Sequence, residues 1–281
     1  MPGDTPADWL GRKEYSNDTL APALVKRLAA TFGEPAPEHG AALPPLWHWA
    51  FFQEPLNAEG LGLDGHPSRG GFLPPAKNRN RMWAGGRIDF LAPLKVGVEA
   101  QRESTIAAVN EKHGRTGKLL FVTVRHEYRQ GGLLALQEEQ DIVYREPSSP
   151  RLSLDDDLPQ SEWTETIEPT PTLLFRYSAV TFNGHRIHYD WPYATEQEGY
   201  PGLVVHGPMI ATLMVRAFQH ANPEALLTHL SYRGLRPLIA PEPFQVAGRH
   251  RSPGRAELWA ANTKGPAHSA ELEYQSGTPK L

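Results

Sequence analysis

Cysteine is absent from this chain of 281 residues. Its absence excludes a disulfide scaffold, a zinc or iron–sulfur site with cysteine ligands, and a thiol nucleophile. Proton chemistry must therefore come from other side chains. Histidine is the best suited of these near neutral pH, and the chain has 12 histidines.

Long apolar runs and a strong excess of one charge are also missing. No apolar stretch approaches the roughly 20 residues of a membrane span, and the N-terminal MPGDTPADWLGRKEY lacks the apolar core of a signal peptide. The net charge is −4, so no broad basic surface is available for nucleic acid or anionic lipid. The sequence predicts a soluble, cytoplasmic protein without nucleic-acid or membrane partners.

Glycine and proline are abundant instead. Together they make up 52 of the 281 residues, well above the average of about 12%. This content indicates many turns and favours short strands over a helical bundle. The length fits one large domain or two domains of about 140 residues each.

Two stretches have the periodicity of helices. Residues 16–32 place apolar side chains four residues apart, with Asp18 as a cap, Pro22 in the first turn and Gly33 at the end. Residues 207–220 form one apolar face and predict a long helix.

Most other segments are typical of strands joined by tight turns. The expected strands are 83–91, 98–109, 117–128, 133–144, 172–182, 228–234, 244–252, 256–263 and 267–275. Residues 46–52 fit a short helix and a strand about equally well. Each half thus has a helix that begins with proline and is followed by antiparallel strands, which indicates a duplicated unit.

Two segments lack regular periodicity. The Gly/Pro-rich residues 57–82 predict a loop that is too long to be idle, and such loops are often functional. Residues 146–171 are rich in proline, serine and acidic side chains, and they predict a linker. A solvated surface loop within one domain is the alternative.

The densest polar cluster is NGHRIHYD, at residues 183–190. His185 and His188 resemble half a metal site, but no carboxylate stands at helical spacing and Gly184 disfavours a helix there. A polar loop with capping roles is a second interpretation. A third is a general acid–base site built on His188, since an imidazole pKa near 6.5 suits proton transfer at neutral pH.

The segment GLVVHGP, at residues 202–208, supports the third interpretation. Gly207 at the start of the predicted helix leaves its N–H open to a ligand oxygen, and the helix dipole favours negative charge there. Such a terminus can polarise a carbonyl whose oxygen gains charge in an enolate-like transition state. Alternatively, Gly207 only permits close packing and Pro208 is an ordinary first-turn residue.

Residues 183–194, NGHRIHYDWPYA, and 202–213, GLVVHGPMIATL, resemble the hydratase motif of the MaoC-like hotdog family. That motif reads roughly Asp-x-Asn-Pro-x-His-x-Asp-Pro-x-x-Ala, followed by an apolar strand and His-Gly before a central helix. FRYSAVTFNGHRIHYD and GGFLPP…RMWAGGRIDFLAPLKVG are similar to its two-hotdog branch, the type 2 hydroxyacyl-thioester dehydratases, which includes mesaconyl-CoA and itaconyl-CoA hydratases. The resemblance covers residues 10–275.

The resemblance implies an α+β double hotdog, in which two antiparallel sheets, each wrapped on a central helix, pack as a pseudo-dimer in one chain. Residues 1–145 would form a degenerate N-terminal hotdog, 146–171 the linker and 172–281 the catalytic hotdog. The first half has no comparable histidine motif, so we expect one catalytic site per chain, with the first half supplying walls of the pocket.

Site residues follow from the same resemblance. His188 matches the catalytic His, and Asn183 stands where many relatives have the catalytic Asp. His185 stands where they have Asn, Asp190 matches an Asp that we expect to be structural, and Gly207 matches the Gly whose N–H holds the thioester oxygen. Because an amide cannot accept a proton at neutral pH, Asn183 would orient a water while His188 acts as the base. His185 or a residue of the first half could also take part as a base.

The implied reaction is reversible hydration of an α,β-unsaturated acyl thioester, carried on CoA or on an acyl-carrier protein. No metal or cofactor is expected beyond the CoA of the substrate, and the fold is compatible with a homodimer. The rival activities are a hotdog thioesterase and a non-catalytic acyl-thioester-binding protein. A thioesterase is disfavoured because no Asp or Glu lies between Gly207 and His220.

Arginines crowd the expected site, and arginine binds planar carboxylates with two parallel hydrogen bonds. The expected substrate-binding residues are Arg176, Arg186, Tyr177, His206, Arg79, Arg81 and Arg87. This content favours a short dicarboxylic acyl-CoA of the mesaconyl, itaconyl or citramalyl type. A fatty acyl thioester is the alternative, because CoA phosphates would also require arginines.

Overall fold

The computed structural model describes residues 5–68, 70–76, 79–114, 117–146 and 149–277. Within these ranges, three α-helices are α1 (Pro22–Phe32), α2 (Pro171–Val180) and α3 (Gly207–Ala221). The strands are β1 (Lys13–Asp18), β2 (Asn80–Phe90), β3 (Ala100–Gly114), β4 (Gly117–Gln130), β5 (Leu133–Arg145), β6 (Trp163–Ile167), β7 (Ala225–Gly234), β8 (Phe244–Ser252), β9 (Arg255–Asn262) and β10 (Gly265–Ser276). None of the described helices is both long and apolar enough to span a bilayer.

All ten strands join one sheet in the order β1-β3-β4-β5-β2-β7-β10-β9-β8-β6, and neighbouring strands are antiparallel. The order in one half mirrors the order in the other, and β2 pairs with β7 at the seam, where Ile88 lies opposite Leu230. Each half thus supplies five strands to one continuous sheet. The predicted α+β double hotdog is confirmed by this arrangement.

The two halves differ in the helix that the sheet wraps. In the second half, α3 packs against β8 and β9 and buries Met209, Ile210 and Phe218 completely. Burial of each such side chain stabilises the fold by about 1.5–3 kcal/mol. At the corresponding place in the first half, residues 46–52 contain only a short 3-10 helix, Trp47–Ala50. The first half therefore has a shorter central element, and a long loop follows it.

The predicted helix over residues 16–32 is wrong at its start. Lys13–Asp18 forms β1, in which Ser16 lies opposite Arg102 of β3. The helix begins only at Pro22 and ends at Gly33, as the proline and glycine predicted. Asp18 does not cap α1, because its carboxylate accepts hydrogen bonds from the backbone N–H groups of Leu20 and Phe52.

The predicted strand over residues 172–182 is also wrong, since this segment contains α2. The Thr170 hydroxyl accepts a hydrogen bond from the N–H of Leu173 at 3.1 Å, and Pro171 occupies the first turn. Both are favourable helix-start features. Leu174 and Ser178 are buried on one face of the helix. The β-branched and aromatic content of the segment favoured a strand, but capping and burial outweigh that preference.

The segment predicted as a linker contains regular structure. Trp163–Ile167 forms β6 at the edge of the sheet and pairs with β8, and the N–H of Leu154 donates to the carbonyl of Lys264. Residues 147 and 148 lie outside the described residues. Part of this segment therefore packs on the second half, while the proposed domain boundaries remain predictions.

The remaining secondary-structure predictions are confirmed. The four strands predicted in the first half correspond to β2–β5, the last four to β7–β10, and the helix predicted at 207–220 to α3. The tip of the hairpin predicted between β3 and β4, at residues 115 and 116, lies outside the described part of the chain.

A buried carboxylate connects the first-half core to the seam strand β7. Glu138 is fully buried and accepts hydrogen bonds from Trp49 at 2.8 Å and Tyr128 at 3.0 Å, and His48 lies at 3.2 Å. Tyr232 of β7 donates to it from 3.4 Å. Burial opposes the charge, but the contact with His48 and the other hydrogen bonds lower the pKa of Glu138 to about 2.

Candidate active site

A cleft of about 1490 Å³ is lined by residues from both halves of the chain. Drug-sized ligands occupy pockets of roughly 300–1,000 Å³, so this cleft has room for a longer molecule. The second half contributes residues 183–185 and the start of α3, while the first half contributes residues 61–68 and 80–84.

The polar cluster predicted at residues 183–190 forms a tight turn on one wall of the cleft. The Asn183 side-chain oxygen accepts a hydrogen bond from the N–H of His185 at 2.9 Å, immediately before the 3-10 helix Arg186–His188. Asn183 lines the cleft, but its oxygen is used by the backbone. Its amide group can therefore donate a hydrogen bond to a water, which matches only part of the predicted role.

His188 has the geometry of a general base. Its Nδ1 lies 2.7 Å from the carbonyl oxygen of Val204, so Nδ1 carries the proton and Nε2 is the basic nitrogen. The residue is buried yet lines the cleft. Burial lowers the pKa of His188 to about 4, even though the Val204 contact acts in the opposite direction. His188 is therefore neutral, and able to accept a proton, at pH 7.

His206 supports His188 from behind. The two rings stack with centroids 3.7 Å apart, and Nε2 of His206 lies 2.8 Å from the Ser178 hydroxyl. His206, which was predicted to bind substrate, is completely buried and is not among the residues that line the cleft. Tyr177, which does line the cleft, packs its ring edge-on against His206 at 4.9 Å.

Gly207 begins α3 at the wall of the cleft, as its predicted role requires. No hydrogen-bond acceptor for its N–H occurs among the residues that the structure describes. A Cβ atom at this position would lie 2.8 Å from Cε3 of Trp83. The ring of Trp83 stacks on Tyr232 at 4.7 Å and meets Trp49 at 5.6 Å, so it is held against the helix start. Only glycine fits there without displacing this ring.

The loop from the first half docks directly on the histidine turn. The backbones of Gly65 and Gly184 meet so closely that a Cβ on Gly65 would lie 2.0 Å from the carbonyl oxygen of Gly184. The N–H of Arg186 donates to the carbonyl of Asp64 at 2.9 Å, and its guanidinium donates to the carbonyl of Leu63 at 3.0 Å. This loop is therefore part of the site.

Docking of the loop extends the histidine cluster across the two halves. The rings of His66 and His185 have centroids 4.2 Å apart, and those of His185 and His188 are 5.3 Å apart. Asp64 accepts a hydrogen bond from the N–H of His66 at 3.0 Å, and its other oxygen lies 3.5 Å from Nδ1 of His66. Burial, and then the neighbouring His66 and His188, hold the pKa of His185 well below its usual value.

Asp64, His66 and His185 could together hold a metal ion, since one potential ligand atom from each lies within 4.8 Å of the others. The sequence offered no carboxylate at a suitable spacing, because this one comes from the other half of the chain. Three ligands leave a structural site incomplete. A site that works without metal remains a prediction.

Most of the arginines that were predicted to bind substrate do not line the cleft. Arg81 lines the cleft, whereas Arg79, Arg87, Arg176 and Arg186 are not among its lining residues. Arg87 is paired with Glu139 and Asp141 on the sheet surface, and Arg79 lies 3.4 Å from Glu111. The lining arginines are Arg81, Arg102, Arg145, Arg151 and Arg236.

Arg186 and Asp190 have structural contacts. Their side chains pair at 2.8 Å, and the Arg186 guanidinium lies over the Tyr193 ring at 4.2 Å. Asp190 also accepts a hydrogen bond from the N–H of Tyr193 at 3.1 Å. Asp190 thus orders the turn, as expected, whereas Arg186 serves the same turn instead of facing the substrate cleft.

Sequence reasoning missed two residues that the first half contributes to the cleft, Asp64 and His66. The only signal was the Gly/Pro-rich loop over 57–82, which was expected to be functional without any role for its residues. Trp83 belongs to β2, and no local pattern distinguished it from the core aromatic residues. Residues 69, 77 and 78 of the loop lie outside the described residues.

The amino-acid sequence is similar to one known family and to two curated proteins. Residues 46–240 match the family described as "Hydroxyacyl-thioester dehydratase type 2". The chain is 46% identical over 271 residues to "Mesaconyl-C(4)-CoA hydratase" of Chloroflexus aurantiacus, a match that covers 94% of this chain and 96% of that protein. It is 26% identical over 272 residues to "Hydroxyacyl-thioester dehydratase type 2, mitochondrial" of Schizosaccharomyces pombe, covering 84% and 90% of the two chains.

Solved structures share the fold at low sequence identity. The MaoC-like dehydratase of Phytophthora capsici has a TM-score of 0.72 at 14% identity, with 98% of this chain and 99% of that chain covered. A Mycobacterium tuberculosis protein with a double hotdog fold has a TM-score of 0.58 at 12% identity, with 94% and 96% covered. Both likenesses agree with the mirrored halves of the sheet.

Proposed function

This chain belongs to the hydroxyacyl-thioester dehydratase type 2 family, and from that premise we propose that it adds water reversibly to a short dicarboxylic enoyl-CoA. The observation that carries the proposal is the shared cleft of His188 and Gly207. His188 presents a neutral imidazole whose tautomer is set by Val204, and Gly207 presents an N–H at a helix start. These are the base and the oxyanion donor that the reaction needs.

The proposed reaction proceeds by proton transfer through His188. The thioester carbonyl accepts a hydrogen bond from the Gly207 N–H, which polarises the double bond. Nε2 of His188 takes a proton from water as the hydroxyl oxygen bonds to the β-carbon, and the Asn183 amide group positions that water. The electron pair of the double bond moves to an enolate, and its α-carbon takes the proton back from His188. The enzyme ends in its starting protonation state, and CoA enters only as part of the substrate.

The proposed substrate is the C4 thioester of mesaconate. Support comes from the relative in Chloroflexus aurantiacus, which is named for this substrate and is 46% identical over nearly the whole of both chains. In this thioester the β-carbon carries both a methyl group and a carboxylate, so hydration gives a citramalyl-type product. Arg81 and the histidine cluster supply polar groups of the type that a carboxylate requires.

A fatty 3-hydroxyacyl thioester is the second candidate, supported by the relative from Schizosaccharomyces pombe at 26% identity. An itaconyl thioester, which is also dicarboxylic, is the third candidate. The cytoplasmic location and the homodimer stay predictions, and the sequence leaves CoA and an acyl-carrier protein both open as the carrier of the acyl group.

The test is to mix the purified protein with mesaconyl-C4-CoA, itaconyl-CoA or crotonyl-CoA and follow both enoyl absorbance and free thiol. Loss of absorbance without thiol release is the expected result, fastest with mesaconyl-C4-CoA. Thiol release would identify a thioesterase, and binding without turnover a non-catalytic protein. A clear preference for crotonyl-CoA would contradict the dicarboxylic substrate.

A further inference from the structure

The position of the substrate carboxylate follows from the proposed chemistry, and this inference rests on that proposed function. The carboxylate is attached directly to the β-carbon, one bond of about 1.5 Å away. His188 must deliver water to the same carbon. The group that recognises the carboxylate must therefore lie beside His188 and cannot lie at a distant part of the cleft.

Apart from Arg81, the arginines expected from the sequence do not meet this requirement. Arg87 is paired with two carboxylates on the sheet surface, and Arg186 is paired with Asp190. Arg176 is exposed and does not line the cleft. Two other histidines that line the cleft lie close to His188, with His185 at 5.3 Å and His66 one ring further.

We propose that His66 and His185, assisted by Arg81, bind the carboxylate on the β-carbon of the substrate. All three residues line the cleft. His66 and His185 face each other at 4.2 Å, so two imidazole N–H donors can converge on one carboxylate. Arg81 adds a positively charged side chain to the same wall of the cleft.

Asp64 contributes a carboxylate to this cluster, and its charge is directed at His66. One carboxylate oxygen of Asp64 accepts a hydrogen bond from the backbone N–H of His66. The other oxygen lies 3.5 Å from the ring atom Nδ1 of His66. This contact turns Nε2, the second nitrogen of the His66 ring, away from Asp64. Asp64 therefore orients His66.

The proposed carboxylate site also explains why the first-half loop packs against the histidine turn. His66 reaches His185 only because Gly65 and Gly184 allow the two backbones to touch. The carboxylate site is thus shared between the two halves of the chain, and neither half holds it alone. Specificity for a dicarboxylic acyl group would then depend on His66 of the first-half loop together with His185 of the second half, which also holds the water-activating His188.

The test compares binding of two unreactive thioesters that differ only at the β-carbon. 3-Carboxybutanoyl-CoA keeps the carboxylate and methyl group of the proposed substrate, and 3-methylbutanoyl-CoA replaces the carboxylate by a second methyl. Isothermal titration calorimetry gives Kd for both with the wild-type protein, with His66→Leu and His185→Gln, and with His229→Gln as a control. His229 pairs with Asp89 at 2.6 Å and is not among the residues that line the cleft.

We expect the wild-type protein and His229→Gln to bind the carboxylate analogue at least about 10-fold more tightly than its neutral partner, as charge-assisted hydrogen bonds do. In His66→Leu and His185→Gln, the ratio of the Kd for the neutral analogue to the Kd for the carboxylate analogue should fall below about 3. The Kd for the neutral analogue itself should change little. His66→Gln serves as a second variant if His66→Leu does not fold.

An unchanged ratio in both histidine variants would overturn the inference, and so would equal binding of the two analogues by the wild type. Failure of the proposed function has a different signature. A protein that hydrates no enoyl-CoA, yet binds the carboxylate analogue preferentially through these histidines, would contradict the reaction and leave the carboxylate site standing.

Discussion

The Nδ1 atom of His188 lies 2.7 Å from the carbonyl oxygen of Val204. Because a carbonyl can only accept, this contact places the proton on Nδ1 and leaves Nε2 as the basic nitrogen. Val204 is just two residues before His206, which stacks on the same ring at 3.7 Å. The segment that leads into α3 therefore sets both the tautomer and the orientation of the proposed base.

Activity should be insensitive to pH through the neutral range and fall only in acid. Burial lowers the pKa of His188 to about 4, so the basic form predominates above that pH and is lost below it. The plot of log kcat/KM against pH should bend near 4 and then fall by one unit per pH unit. Enzyme incubated in acid and assayed again at pH 7 controls for unfolding. A bend near 6.5 would contradict the buried, neutral base.

Removal of the imidazole should abolish most of the turnover. His188→Ala is expected to lower kcat by at least about 100-fold, because general-base catalysis contributes that much or more. His220→Ala is the matched control, since His220 is half-exposed, pairs with Glu165 at 2.7 Å and does not line the cleft. Near-normal turnover of a folded His188→Ala protein would show that another group is the base.

Gly207→Ala should impair catalysis through Trp83. The new Cβ would lie 2.8 Å from the Trp83 ring, which is enclosed by Tyr232 and Trp49 and cannot retreat freely. A displacement of this kind at a helix start is expected to lower kcat by about 10- to 100-fold. Gly71→Ala is the control, because a Cβ at residue 71 has no neighbour within 4 Å. Equal activity of both variants would argue against the tight helix start.

Gly184→Ala should release the first-half loop. A Cβ on residue 184 would lie 2.6 Å from the carbonyl oxygen of Gly65, so the two backbones must separate. The hydrogen bond from the Arg186 N–H to the carbonyl of Asp64 would then break. Hydrogen exchange at the Arg186 amide should accelerate, with little change in the strands of the sheet. Unchanged exchange at that amide would show that the loop does not depend on this contact.

Glu138→Gln should destabilise the fold at neutral pH. Hydrogen bonds lower the pKa of Glu138 from 4.5 to about 2, so the charged form stabilises the native state above pH 4.5 and that gain is lost as pH falls toward 2. The contribution is on the order of 3 kcal/mol. Urea unfolding at pH 7 and pH 3 should show a gap between wild type and variant that narrows in acid.

The matched control for that experiment is Glu273→Gln. Glu273 pairs with Arg255 at 2.7 Å, but both side chains are largely exposed. Exposed pairs contribute about 0–1 kcal/mol, so this variant should resemble the wild type at both pH values. A Glu138→Gln protein as stable as this control at pH 7 would contradict a stabilising role for the buried carboxylate.

Local sequence was sufficient for most of the sheet and for α3, because apolar periodicity and turn residues act over short distances. It failed at α2, whose aromatic and β-branched residues favour a strand. There the cap at Thr170 and burial of Leu174 decide for helix. It also failed at Lys13–Asp18, where pairing with β3 outweighs the helical spacing that begins at Leu20.

For the site, the sequence alone was enough to predict His188 and Gly207, because the motif that carries the family resemblance lies within a short stretch before and at the start of α3. It also determined that no thiol takes part. Only the tertiary structure brought Asp64, His66 and Trp83 to them, and only the structure removed Arg87, Arg176 and Arg186 from the cleft. Contacts between residues more than a hundred positions apart depend on how the two half-sheets join and how the loop docks. No local pattern carries that information.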